Sequence, residues 1–132
     1  MKSLHHFIII AAALLLLIAC EKTPEDPQVG GRGNAPTITV TNNYNRTIKF
    51  ELYVMNNGSN VLSADVESQT SFMTPNLWQY VGQRMTVKLF IPTENGTPTT
   101  PWTHNIADLE AGTNYIFSVN GYNSVDYSTY SN

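Results

Sequence analysis

The sequence is short of charge, of cysteine and of histidine, and each shortage argues against a class of protein. Charged residues make up 13% of the 132 positions, too few for a coiled coil, whose outer faces are laced with Glu, Lys and Arg. There are 7 Lys and Arg against 10 Asp and Glu. That balance offers no basic surface to hold a phosphate backbone, so nucleic acid is not the expected partner. The single cysteine, Cys20, has no second thiol to pair with, and of the 3 histidines only His104 lies beyond the first six residues. A zinc centre needs three or four such ligands at close spacing, and no metal or other cofactor is expected. No Gly-x-Ser-x-Gly elbow, Walker loop or Asp-rich calcium loop is present, which removes the motif-borne routes to hydrolysis, phosphoryl transfer and calcium binding. No stretch carries a convincing 3.6-residue apolar stripe, so helices are not the building material.

What the chain does contain begins at its start. Phe7–Ala19 is an unbroken run of 13 apolar residues. As a helix it would reach roughly 20 Å, short of the ~30 Å hydrocarbon core of a bilayer. It reads as the core of a secretory signal peptide covering residues 1–19. Leu17-Ile18-Ala19-Cys20 then resembles the lipobox of bacterial lipoproteins. The resemblance implies cleavage before Cys20 and lipid on its thiol, an anchor strengthened by about 0.8 kcal/mol for each buried CH₂.

Residues 20–35 comprise that cysteine and a tether, EKTPEDPQVGGRGNA, whose Pro, Gly and charged residues leave no apolar periodicity. A linker of this length spans at most ~50 Å. Glu21 stands where an Asp would resemble an inner-membrane retention signal, so the resemblance implies the outer membrane. Glu21, Glu25 and Asp26 resemble the acidic surface-export signals of Bacteroidetes lipoproteins, which implies cell-surface exposure; a periplasm-facing domain is the alternative. From Cys20 onward the net charge is about −4, with no polybasic segment to add a second grip on anionic lipid.

Residues 36–132 read as one β domain. Thr37–Thr41 alternates with Ile38 and Val40 on one face. Arg46–Met55 directs Ile48, Phe50, Leu52 and Val54 inward, with Lys49 and Glu51 outward. Asn56–Asn60 is a hairpin turn centred on an Asn-Gly pair, which accepts positive φ cheaply. Val61–Glu67 follows, Ser68–Met73 is a short or edge strand, and Gln83–Ile91 buries Met85, Val87, Leu89 and Ile91. Pro92 stops that strand because it has no N–H for a ladder. Trp102–Leu109 and Thr113–Gly121 complete the clear strands. Six or seven strands in about 90 residues predict a sandwich or a small barrel. The best helical candidate, Asn76–Val81, is short and bordered by Pro75 and Gly82.

Leu109, Gly112 and Tyr115 have the spacing of the tyrosine corner of Greek-key sandwiches. With Phe117, Val119 and Asn123 they resemble the penultimate strand of fibronectin type III domains. Ile38, Val40, Asn42, Ile48 and Phe50 are similar to that family's first two strands. The resemblance implies an immunoglobulin-like Greek-key β-sandwich of about seven strands, with a transthyretin-like sandwich or small β-barrel as the alternative. It further implies a Tyr115 hydroxyl bonded back to the backbone near Leu109. The sequence departs from the family at Leu52, where a core Trp is usual, and at Ala111, where Pro is common. The segment after Ser124 looks short for a closing strand.

No constellation points to catalysis. Asp65 and Glu67 share a strand face about 7 Å apart, but alternation puts that face in solvent, where neither carboxyl is tuned for acid–base work. Asp108 and Glu110 flank the corner as solubilising charges. His104 lies on a Pro/Thr-rich approach to a strand, where a solvated or capping imidazole is expected. The informative residues are aromatic. Trp78, Tyr80 and Trp102 sit on or beside loops, and flat rings flanked by Asn and Thr suit the apolar faces of sugars. Phe90 lies opposite the buried residues of its strand, as second-sheet core or as a surface patch. Tyr122, Tyr127 and Tyr130 mark a Tyr/Ser-rich edge able to accept a partner strand. Two functions follow: a surface-displayed module binding glycan or protein, or a structural accessory subunit of an envelope assembly.

Overall fold

The structure, a computed structural model, describes residues 34–97 and 100–131. The apolar run, Cys20 and the tether up to residue 33 fall outside the described residues. Eight strands follow one another: β1 (Thr37–Asn42), β2 (Ile48–Val54), β3 (Asn60–Val66), β4 (Thr70–Met73), β5 (Met85–Phe90), β6 (Trp102–Ile106), β7 (Thr113–Gly121) and β8 (Ser124–Ser131). They form two four-stranded sheets, ordered β4-β1-β7-β8 and β3-β2-β5-β6. All pairings are antiparallel except β1 with β7. Among the described residues the one helical element is a 3₁₀ turn, Trp78–Tyr80, within the segment read as the best helical candidate.

The fold is an all-β sandwich, as the alternation of its strands requires. Ile38 and Val40 from β1, and Tyr115, Phe117 and Val119 from β7, meet Ile48, Phe50, Leu52 and Val54 from β2 and Met85, Val87 and Leu89 from β5. Every one of these is buried. The two sheets are open and separate, which rules out the barrel. β1 and β2 lie in opposite sheets, whereas the immunoglobulin order keeps its first two strands together. The strand order is therefore not the immunoglobulin one. The tyrosine corner does not decide this, because it fixes one local crossover and not the strand order. The segment after Ser124 is not too short to close the sheet: β8 pairs with β7 from Gly121↔Ser124 to Thr113↔Ser131.

Asn42 explains how the chain leaves one sheet for the other. It is fully buried, where an unpaired amide is costly. Its Nδ2 donates to the carbonyls of Arg46 (2.7 Å) and Val66 (2.9 Å), and its Oδ1 accepts the Tyr44 N–H at 3.0 Å. One side chain therefore shapes the β1–β2 crossover and ties it to the end of β3. At the other end Gly58, at φ 67°, closes the β2–β3 hairpin by donating to the Val54 carbonyl at 2.9 Å.

The connections sort into two ends. The chain enters β1 beside the 74–84 segment and the β6–β7 connection: Leu77 N–H donates to Pro36 O (3.2 Å) and Gly82 N–H to Leu109 O (2.9 Å). The opposite end carries the β1–β2, β3–β4, β5–β6 and β7–β8 connections.

Candidate functional site

Phe90 ends β5 with its ring directed away from the core, because Met85, Val87 and Leu89 take the inward positions. Register places Lys49 of β2 beside it and Asp65 of β3 beside Lys49. Three strands thus contribute a row, Asp65–Lys49–Phe90, across the outer face of the second sheet. Pro92 then turns the chain out of the ladder. The Thr93–Thr97 turn folds back over the row, held by Gly96 N–H to Thr93 O (2.8 Å) and Thr97 N–H to Thr93 Oγ1 (3.1 Å). The Arg46 guanidinium pins it further by donating to the Glu94 carbonyl. Between turn and row lies an open cavity of about 260 Å³, lined by Thr47, Ile48, Lys49, Asp65, Phe90, Ile91, Pro92 and Gly96.

The charges around this cavity are ordered. Lys49 Nζ lies 5.6 Å from the Phe90 ring centroid and 2.6 Å from Glu51 Oε1. Its hydrogen bond to Glu51 holds the ammonium pKa above its ordinary value, and the same contact holds the Glu51 carboxyl below the usual range. Glu51 also accepts the Tyr53 hydroxyl, while Lys88 Nζ stands 4.6 Å from the Tyr53 ring centroid. Glu51 lies on the outer face as expected, yet it is only 8% exposed, because these neighbours cover it. Asp65, in contrast, is exposed. The cavity therefore offers an aromatic wall, a cation held in place and an accessible carboxylate acceptor.

The three aromatics singled out from sequence do not share this cavity or one another. Trp78 and Tyr80 are half-buried in the 3₁₀ turn at the end where the chain enters, with Tyr80 packed on the rim of the core. Trp102 begins β6 opposite Leu89, at the far end of a strand whose Ile106 pairs with Met85 near that turn. It joins a cluster at the open side of the sandwich. Trp102 stacks on His104 (centroids 5.9 Å, 6° between planes), His104 lies 4.1 Å from Tyr127, and Phe117 meets Tyr127 at 5.0 Å.

His104 is thus neither a cap nor a solvated loop residue. It is the middle inward-facing residue of β6, opposite Val87. Burial against these rings lowers its pKa below the ordinary value. The signal for this was the alternation Trp102, His104, Ile106, masked by the prolines ahead of it.

At the β6–β7 crossover, Leu109 is fully buried and Gly112 adopts φ 74°. The Tyr115 hydroxyl accepts the Glu110 N–H at 2.9 Å and donates to the Asp108 carbonyl at 3.3 Å. Burial raises the phenol pKa. Asp65 and Glu67 are both exposed. Among the described residues no group of three or more His, Cys, Asp or Glu side chains is placed to hold a metal ion, and no helix is long and apolar enough to cross a membrane. No family model, curated protein or solved structure matches the chain.

Proposed function

We propose that the protein is an outer-membrane lipoprotein, anchored through lipid on Cys20, whose β-sandwich is displayed on the cell surface as a glycan-binding module. The lipobox-like Leu17–Cys20, the acidic tether and the absence of a spanning-length apolar run support the anchoring and the address. The cavity over Phe90 carries the binding reading. It adjoins the end of the sandwich away from the point where the tether joins.

Ligand chemistry follows from the cavity's walls. Pockets of about 300–1,000 Å³ hold drug-sized molecules, so a volume of about 260 Å³ suits a single sugar ring. The Phe90 ring offers an apolar surface to the face of a pyranose. Asp65 accepts from hydroxyls and Lys49 donates to them. Having both signs present disfavours strongly anionic and strongly cationic ligands alike, leaving neutral rings with an apolar face and a polar rim.

The test is a titration of the ¹⁵N-labelled protein with a panel of neutral hexose and N-acetylhexosamine oligosaccharides, followed by amide chemical shifts. At least one oligosaccharide is expected to shift residues 47–49, 65 and 90–97. Phe90→Ala, whose ring lies outside the core, is expected to weaken that binding about tenfold or more with the fold intact. No shifts across the panel, or equal binding by Phe90→Ala, would overturn the assignment.

A further inference from the structure

We infer, resting on the glycan-binding reading of the Phe90 cavity, that this cavity selects N-acetylhexosamines over plain hexoses by holding the acetamido group. Its walls are not chemically uniform. Phe90 and Pro92 put two apolar rings on the β5 side, and two residues of extended chain set them about 7 Å apart. Thr47, Lys49 and Asp65 line the side of β2 and β3, and all three are exposed. Register produces the split. Lys49 stands opposite Phe90, Asp65 stands opposite Lys49, and Thr47 lies two residues back along the chain from Lys49.

A plain hexose answers only part of this wall. With its apolar face on the Phe90 ring, it either leaves Pro92 in water or turns a hydroxyl against it. A hydroxyl pressed on an apolar ring without a partner is costly. An acetamido group extends the same sugar by a methyl, a carbonyl and an N–H. The methyl covers Pro92 and takes the apolar surface of both out of water.

The two polar atoms of the amide need a donor and an acceptor side by side, and Lys49 and Asp65 are that pair. The Lys49 ammonium lies 2.6 Å from Glu51 Oε1. An ammonium has three protons, so others remain for the acetamido carbonyl. Glu51 also fixes where that donor sits, which lowers the cost of ordering it on binding. Asp65 accepts the acetamido N–H. Adjacent charges of opposite sign suit an amide, which is neutral but dipolar, better than a carboxylate or an amine. Each part of the substituent thus meets its own kind of wall, and a C2 hydroxyl reproduces neither the methyl contact nor the amide pair.

Matched pairs of ligands isolate the acetamido group: the methyl glycosides of glucose and N-acetylglucosamine, and those of galactose and N-acetylgalactosamine. Each is titrated into the detergent-purified full chain and followed by the amide shifts of residues 47–49, 65 and 90–97. In at least one pair the acetamido sugar should bind about fivefold tighter or more, as one buried methyl and one satisfied amide require. In that complex, nuclear Overhauser contacts should join the acetyl methyl protons to the Pro92 ring. Pro92→Ser, which removes the ring, should reduce the preference to about twofold or less. Equal affinities within both pairs, an acetyl methyl without contact to Pro92, an undiminished preference in Pro92→Ser, or tighter binding of a 6-deoxyhexose would overturn the selectivity and leave glycan binding in place. Binding of oligosaccharides but of none of the four glycosides would overturn it as well. Failure of every glycoside and oligosaccharide to bind would instead remove the glycan-binding reading, and the selectivity with it.

Discussion

His104 and Phe90 show how one residue's surroundings decide its role. Both depart from the plain alternation of apolar inside and polar outside: one is a polar ring turned in, the other an apolar ring turned out. The imidazole in the Trp102–Phe117–Tyr127 cluster makes stability pH-dependent. Its folded pKa lies below the unfolded value of 6.5 because burial disfavours the cation. The unfolded chain therefore takes up the proton first, and stability falls as pH drops through about 6.5 toward the folded value. Glu51 acts in a separate window, since its folded pKa lies below 4.5 and its contribution is lost only under more acidic conditions. Denaturant midpoints at pH 7.5 and 5.5 should therefore differ for wild type, and by less for His104→Gln. An equal pH response in the two would place the imidazole in solvent.

Elements were legible where their cause is local. The inward sets Ile48, Phe50, Leu52, Val54 and Met85, Val87, Leu89, Ile91 are buried as alternation predicts, and the Asn-Gly pair closes its hairpin. What was not legible depends on partners distant in sequence. The Asn-rich segment after β1 carries the chain across to the other sheet, where Asn42 finds the carbonyl of Val66, a partner 24 residues away that no local pattern names. β8 has little aliphatic content, but an edge strand needs only a backbone ladder on one side and a few inward contacts. The Phe90 row was half legible: the outward aromatic is visible in β5, whereas Asp65 and Lys49 join it only through register. The turn above the row is also an element with a job. Arg46→Ala removes the donor that pins Glu94 and should change global stability by no more than about 0.5 kcal/mol, as for most surface substitutions. It should accelerate exchange of the Gly96 amide and weaken glycan binding severalfold. Unchanged exchange would show that the turn holds itself.

At the scale of the whole molecule, the proposed lipid anchor on Cys20 would hold at the envelope a sandwich that carries a cavity over Phe90. The central claim is that Phe90 binds glycan on the outside of the cell. Flow cytometry of unpermeabilised cells tests it most directly, using an antibody against the β-sandwich together with the fluorescently labelled oligosaccharide that titrates the cavity. Cells displaying wild type should take up both labels, and cells displaying Phe90→Ala should keep the antibody and lose the oligosaccharide. Antibody staining only after permeabilisation, or equal oligosaccharide binding by the two, would contradict the account.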